Sequence, residues 1–193
     1  MNTKLLDQSS TDSRLILYGV SWQEYEILGA TLGNRPNLRM NYLEGTLEII
    51  APSREHETLK TIIARLLEAY AEEKDIALNG YGSTTFKKQA KQRGLEPDEC
   101  YCIGEMREVP DIALEVVISS GGIDKLPIYE GLGVPEVWFW QDSKFYVYRL
   151  SPQGYIAIDY SEFLPGLDFI RLSEYIDVNN QTRAVKAYRK AIQ

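Results

Sequence analysis

The chain has 193 residues, of which 44% are hydrophobic and 25% are charged, and its formal net charge is −7. This length and balance predict a soluble globular domain with a sizeable core and exclude a disordered or fibrous chain. No apolar run approaches the roughly 20 residues that span a bilayer, and the polar N-terminus lacks the apolar region of a secretory signal. We therefore expect a cytoplasmic protein with no membrane partner.

One segment of this acidic chain is basic. The run FKKQAKQR contains Lys87, Lys88, Lys91 and Arg93, and no acid follows until Glu96. An acidic protein binds nucleic acid through such a local patch if it binds it at all. Two interpretations stay open, a solvated hairpin or loop, and a substrate-binding patch made of the three lysines.

The N-terminal segment and the first helix are predicted from the absence of hydrophobic periodicity and from a helix-capping pattern. Residues 1–20 show no periodicity, so we expect a flexible N-terminal segment there and a single domain over 21–193. Ser21 and Glu24 have the spacing of a capping box, which opens a helix that ends within 33–36.

A β-hairpin and a long helix follow. Two extended runs over 38–42 and 46–50 are joined by a turn at Glu44-Gly45. The best helix covers 54–74, because its apolar residues repeat at helical spacing along one stripe. The apolar residues of this stripe are Leu59, Ile62, Ile63, Leu66, Leu67 and Tyr70.

The rest of the chain alternates strands with short helices. In chain order we expect strands over 76–81, 84–88, 96–103 and 110–118, a helix over 124–131, strands over 137–140, 145–150 and 155–160, and a helix over 180–193. A strand–helix–strand unit of this kind forms a right-handed crossover between parallel strands. The order predicts an α+β fold with a mixed sheet and helices on its faces.

Chemistry-bearing residues concentrate near the middle of the chain. Two Pro-Asp pairs contain Asp98 and Asp111, and the apolar run IALEVVI has Glu115 as its single interior acid. A carboxylate in such a run is half buried, and burial of an unpaired carboxylate is costly. A metal ion or a lysine is the usual partner that keeps it ionised.

The spacing indicates metal-dependent phosphodiester hydrolysis. Asp98 and Glu115 lie on adjacent predicted strands, where opposite residues have Cβ atoms about 5 Å apart. Two carboxylates at that separation repel each other and favour a bound cation. Mg²⁺ prefers such oxygen ligands and keeps positions open for water and a phosphate oxygen. Lys125, at the start of the next helix, is the candidate to orient the attacking water and stabilise charge on phosphorus.

Two further residues have two interpretations each. Asp111 stands four residues before Glu115, so both side chains share a strand face; it is either a third metal ligand or the residue that opens the strand. His56, the single histidine, lies on the apolar stripe at the start of the long helix. It is either a hydrogen-bonded core residue or a catalytic residue that reaches the same pocket.

The two cysteines, Cys100 and Cys102, stand in a C-x-C pattern on a predicted strand. Two thiols supply too few ligands for a zinc site. We interpret them as small core or half-buried residues in a reducing cytosol.

The run from Pro110 to Trp140, with EPD before it, resembles the Uma-two family of restriction-endonuclease-like proteins, which belongs to the PD-(D/E)XK nuclease superfamily. The similarity extends from WQEYEIL through LEGTLEIIAPSREHETL to FYVYRL. It implies the restriction-endonuclease-like fold, a mixed sheet flanked by helices. It also implies cleavage of DNA with Mg²⁺, for which Mn²⁺ would substitute.

Carried over residue by residue, the resemblance implies that Asp98 is the motif aspartate and Glu115 the acid of the third motif. The sequence departs from the superfamily at Val117, where the pattern has a lysine. The resemblance implies that this lysine has moved to the following helix, at Lys125. His56 is similar to a histidine that begins a helix in the family.

A non-catalytic alternative stays open. The acidic net charge and the absence of the Glu-x-Lys spacing favour a nuclease-like module for nucleic-acid binding or protein assembly, through the apolar surface of WFW and FYVYRL. A stable homodimer would bury a large apolar interface. No helix-turn-helix or zinc finger appears, so sequence specificity is not predicted.

Overall fold

The computed structural model describes residues 11–32, 35 and 37–193, and these form eleven strands and five α-helices. Their bounds, in chain order, are β1 Ser13–Tyr18, α1 Trp22–Leu32, β2 Arg39–Leu43, β3 Thr46–Ala51, α2 Arg54–Glu73, β4 Leu78–Gly80, β5 Phe86–Lys88, β6 Arg93–Leu95, β7 Glu99–Ile103, β8 Ile112–Val117, α3 Leu126–Leu132, β9 Glu136–Gln141, β10 Lys144–Ser151, β11 Gly154–Ile158, α4 Phe169–Glu174 and α5 Gln181–Ile192.

The strands form two sheets, so the prediction of an α+β fold is confirmed; a mixed sheet is present, and a second, antiparallel sheet accompanies it. Sheet A is antiparallel and has the order β1-β3-β2-β6-β5, and sheet B has the order β11-β10-β9-β8-β7-β4. Strands β8 and β9 pair in parallel, with α3 as the crossover helix. The predicted strand–helix–strand unit is therefore confirmed.

Sheet A extends beyond β1, β3 and β2 because β6, a strand of three residues, joins β5 to β2. Gly94 lies at its centre and pairs with both neighbours. A Cβ atom at this position would collide with the ring of Tyr25 in α1. Close packing of α1 on sheet A thus requires glycine here. Three residues around a glycine give too little periodicity to predict a strand.

The two faces of β8 are buried against different layers. Ile112, Leu114 and Val116 belong to the same apolar cluster as Ile63 of α2. Ala113 packs in another cluster, with residues of α3 and sheet A. Alternation places Glu115 on the same face as Ala113. A strand covered on both faces has a nearly continuous apolar sequence, as IALEVV does in β8.

Strand β1 contradicts the expectation of a flexible segment over 1–20 at residues 13–18. All six of its residues pair with β3, from Ser13 opposite Ala51 to Tyr18 opposite Thr46. The sequence pattern did not predict this strand. It is an edge strand with exposed large side chains, since Leu15 is 53% and Tyr18 79% exposed. Residues 1–10, also part of that prediction, lie outside the described residues.

Local signals predicted several boundaries correctly. The capping box is present, since the backbone N–H of Ser21 donates to Glu24 Oε2 at 2.8 Å. Glu44 and Gly45 have φ of 45° and 92°, as expected for a tight hairpin turn. The predicted end of α1 falls largely on 33, 34 and 36, outside the described residues.

In the described parts, no helix combines the length and the apolar character that a membrane span requires.

Candidate active site

The ladder between β7 and β8 brings the two predicted metal ligands together. Glu99 is opposite Leu114, so the next pair in this antiparallel register is Asp98 opposite Glu115. Opposite residues point to the same face of a sheet. The side chains of Asp98 and Glu115 are only 1% and 0% exposed. Two buried carboxylates therefore lie on the face of sheet B that packs against α3 and sheet A.

Glu115 is held by residues at the start of α3. Its Oε2 accepts a hydrogen bond from Lys125 Nζ at 2.5 Å, and its Oε1 accepts from the hydroxyl of Tyr129. Burial and the Glu115 carboxylate raise the pKa of Tyr129 well above its usual value, so the phenol stays protonated as a donor. Lys125, the lysine that the sequence predicted for this site, thus contacts Glu115.

Asp98 contacts residues from three other segments. Its Oδ1 pairs with the guanidinium of Arg39 on β2 and lies 2.9 Å from His56 Nε2. Its Oδ2 accepts from the backbone N–H of Val116 at 2.6 Å. Side chains from sheet A and α2 therefore meet at the end of β8, where this carboxylate pairs with the guanidinium charge of Arg39.

His56 lies in this polar cluster rather than among apolar side chains. It occupies the first turn of α2, where Ser53 caps the helix. Its Nδ1 lies 2.9 Å from Asp12 Oδ2. Burial raises the pKa of Asp12, but hydrogen bonds from His56 and from the Ser53 backbone outweigh it, and the pKa falls to about 2. Asp12 is thus ionised at neutral pH.

Sequence reasoning missed a third buried acid and its partners. Glu48, on β3, is 0% exposed; its Oε1 lies 2.7 Å from Arg14 Nε and its Oε2 accepts from Asn41 Nδ2 at 2.8 Å. The signal that marks Glu115, one acid inside an apolar run, is also present in TLEII around Glu48. Asp12 and Arg14 gave no signal, because they lie in the segment that was expected to be flexible.

A pocket of about 290 Å³ opens beside these groups. The charged residues that line it are Asp12, Arg14, Glu48, His56, Asp124 and Lys125, together with the loop 119–123. That loop packs tightly, since a Cβ atom on Gly122 would lie 2.5 Å from Glu48 Oε1. Asp98 and Glu115 do not line the pocket because both are buried, but Lys125 and His56 connect them to it.

The structure does not bring Asp111 to this site. Its Oδ2 accepts from the backbone N–H of Ile103 at 2.8 Å and pairs with Arg107. Four residues of extended strand separate it from Glu115, which is about 13 Å. Residues on one strand face need not be neighbours. The prediction of a third metal ligand is therefore replaced by the alternative, in which Asp111 opens the strand and fixes the β7–β8 turn.

The three lysines of the basic segment lie elsewhere. Lys87 and Lys88, on edge strand β5, line a separate pocket of about 630 Å³ that shares no lining residue with the first. Lys87 also pairs with Glu26 at 2.5 Å. Lys91 is exposed in the turn before β6. A role in substrate binding thus requires a ligand that extends beyond the pocket at Lys125.

Cys100 and Cys102 are buried and unpaired with each other. Burial raises the pKa of the Cys100 thiol to about 12, so this thiol is not a nucleophile at neutral pH. Both are small core residues, as expected.

The donor set fits one kind of metal better than another. Among the described residues no group of three or more His, Cys, Asp or Glu side chains is arranged to hold a metal ion, as a closed zinc site would need. Mg²⁺ is commonly bound through one or two carboxylates and keeps several waters. Asp98 and Glu115 are two such carboxylates; in the structure Asp98 Oδ1 pairs with Arg39 and Glu115 Oε2 with Lys125.

Comparison with known proteins agrees with the geometry. A family model, Uma2, described as "Putative restriction endonuclease", matches residues 22–186. The chain belongs to this family. The description of the family supports a nuclease-like function, and the matched range spans His56, Asp98, Glu115 and Lys125. No curated protein matches the chain significantly. The Uma2 match begins after β1, and Asp12 and Arg14 therefore lie outside it although both line the pocket.

Proposed function

We propose that this Uma2 protein is a Mg²⁺-dependent nuclease that hydrolyses phosphodiester bonds of DNA, with Mn²⁺ as a substitute for Mg²⁺. The observation that carries the proposal is the pair of buried carboxylates, Asp98 opposite Glu115, with Lys125 Nζ 2.5 Å from Glu115 Oε2. Membership of a family described as restriction endonucleases supports it.

Asp98 and Glu115 would hold the cation. When bound, Mg²⁺ would polarise a phosphate oxygen and lower the pKa of a bound water. Tyr129 and the Val116 backbone each donate to one of the carboxylates, which fixes the directions of the remaining lone pairs. Preorganised ligands of this kind avoid a reorganisation cost during the reaction.

Lys125 supplies the positive charge next to the reacting atoms. Its ammonium has three donors, of which Glu115 takes one. We expect the others to orient the attacking water and stabilise the charge that develops on the phosphate oxygens. Arg14, whose side chain is 19% exposed in the same pocket, is placed to contact the phosphate, because a guanidinium matches phosphate geometry.

Lys87 and Lys88 are proposed to contact DNA beyond the cleaved phosphate. Replacing both with glutamate is expected to weaken DNA binding about uniformly across sequences and to reduce its salt dependence, because phosphate contacts release counterions. The measurement is fluorescence anisotropy with a labelled duplex at several salt concentrations. The matched control replaces both Lys186 and Lys190 with glutamate, since these are two exposed lysines on α5. An equal loss in the control would refute specific contact by β5.

A non-catalytic module is the second candidate. The observation that favours it is that each carboxylate already has a cationic partner, Arg39 on Asp98 and Lys125 on Glu115. A site of this kind needs no metal to be neutral. The module would bind nucleic acid, or assemble with protein, without cutting.

Cleavage of supercoiled plasmid DNA distinguishes the two candidates. We expect wild-type protein with Mg²⁺ or Mn²⁺ to convert the plasmid, and Asp98→Asn to be inactive at the same concentration. If nicked circles accumulate before linear DNA, one active site acts in each encounter with the plasmid. If the plasmid is linearised directly, two chains act together as a homodimer. If Asp98→Asn cuts as fast as the wild type, the activity does not arise at this site.

A further inference from the structure

A continuous chain of polar side chains connects the N-terminal strand to the predicted metal ligands. Asp12, immediately before β1, contacts His56 Nδ1 at 2.9 Å, and His56 Nε2 lies 2.9 Å from Asp98 Oδ1. These three residues come from three distant parts of the sequence. The Uma2 match begins at residue 22, so it covers the second and third members but not the first.

Burial makes this arrangement rigid. The side chains of Asp12, His56 and Asp98 are 4%, 5% and 1% exposed. Water therefore competes little with their hydrogen bonds, which are stronger in a medium of low dielectric. Asp12 has a second bond, because its Oδ1 accepts from the backbone N–H of Ser53 at 2.8 Å. One carboxylate thus holds both the start of α2 and the ring in its first turn.

The contact with the Asp12 carboxylate fixes the orientation of the His56 ring. A carboxylate oxygen only accepts hydrogen bonds, so contact with Asp12 requires a hydrogen on His56 Nδ1. With Nδ1 tied, the ring cannot turn its Nε2 edge away from Asp98. His56 in turn contacts Asp98, and loss of a partner that orients a metal ligand typically costs about 10–100-fold in metal affinity or activity.

We propose that Asp12 is a positioning residue of the Uma2 site, which acts through His56 on Asp98, and that the N-terminal strand is therefore a functional part of the site. The effect on the bound cation rests on the proposed function; the effect on the ring does not. Strand β1 gives Asp12 its fixed place, because Ser13, the next residue, pairs with Ala51 of β3. Asp12 is two residues from Arg14, which lines the same pocket.

The single histidine of the chain gives an unambiguous signal. In the NMR spectrum of the wild-type protein, we expect a hydrogen-bonded Nδ1–H proton that exchanges slowly with water. Asp12→Ala is expected to abolish this signal. Asp12→Asn is the second variant and keeps the size of the side chain. Its amide has only one oxygen, so it can accept from Ser53 or from His56 but not from both.

Ser53→Ala is the matched control. It removes the helix cap, in which Ser53 Oγ accepts from the His56 backbone N–H at 3.2 Å, but leaves the contact between Asp12 and the ring. A cap typically contributes about 1 kcal/mol, so the control reproduces a loss of helix stability without a loss of positioning. We expect Ser53→Ala to retain the Nδ1–H signal.

Calorimetric titration with Mg²⁺ provides the second readout. We expect the affinity to fall about tenfold or more in Asp12→Ala, less in Asp12→Asn, and to stay unchanged in Ser53→Ala. The proposal is overturned if both Asp12 variants keep the Nδ1–H signal, or if they lose it while Mg²⁺ affinity stays at the wild-type value. If the wild type itself binds no Mg²⁺, the proposed function fails, and the NMR signal still decides whether Asp12 positions the ring.

Discussion

Glu115→Gln is expected to lower the rate of Mg²⁺-dependent DNA cleavage about 10³-fold. Glutamine preserves the shape of the side chain and the acceptor for Tyr129, but removes the negative charge that the cation needs. A bound metal contributes several kcal/mol of charge stabilisation in the transition state. Since each 1.36 kcal/mol changes a rate tenfold, the loss of about 4 kcal/mol gives this factor. The measurement is the initial rate of plasmid cleavage at saturating Mg²⁺.

The same substitution should also destabilise the fold, since Lys125 loses its partner. Removal of one member of a buried ion pair costs about 3 kcal/mol or more. For a chain of this size that corresponds to a melting temperature lower by roughly 6–12 °C. Lys125 is 16% exposed and can turn toward the pocket, so we expect the low end of this range, and a folded variant for the rate measurement.

Glu136→Gln is the matched control for Glu115→Gln. Glu136 is a 0% exposed carboxylate on β9, the neighbouring strand of sheet B. It accepts from Trp138 Nε1, Ser161 Oγ and the Glu162 backbone N–H, which are all neutral donors. We expect it to lose stability and to keep cleavage per folded molecule. Equal rates for the two variants would refute a special role for Glu115.

Lys125→Met is expected to separate cation binding from catalysis. The substitution frees Glu115 Oε2 for a metal, so Mg²⁺ affinity should be retained or should rise. Cleavage should nevertheless fall about 10²–10³-fold, the usual effect of removing one group that stabilises transition-state charge. The measurements are Mg²⁺ titration and plasmid cleavage on the same sample. A variant that loses both properties would show that Lys125 is only structural.

Lys60→Met controls for the loss of a half-buried lysine. Lys60 is 16% exposed, as Lys125 is, and pairs with Glu57 at 2.7 Å on α2. We expect its cleavage rate and Mg²⁺ affinity to match the wild type. If Lys60→Met is as slow as Lys125→Met, the effect comes from general destabilisation.

The elements that the sequence predicted well are those with strong local signals. The long helix α2 and the buried strand β8 follow from periodicity and from an uninterrupted apolar run. The register that places Asp98 opposite Glu115 follows from the hairpin between β7 and β8. Local pattern was therefore enough to predict this pair, and the contact of Lys125 with Glu115 followed from the same reasoning.

The missed parts of the site depend on contacts between distant segments. Asp12, Arg14 and Arg39 reach His56, Glu48 and Asp98, respectively, only because β1 and β2 pair with β3 in sheet A. Nothing in an exposed edge strand predicts which strand it will join. The Asp111 prediction failed for a different reason, since strand periodicity gives the face of a side chain but not its distance along the strand.

The measurement that tests the central claim most directly is calorimetric titration of Mg²⁺ into the wild-type protein, into Glu115→Gln and into Glu136→Gln, each with and without duplex DNA. The proposed site predicts millimolar or tighter binding to the wild type and to Glu136→Gln, and none to Glu115→Gln. The absence of binding to the wild type in both conditions, or unchanged binding to Glu115→Gln, would contradict a cation held by Asp98 and Glu115.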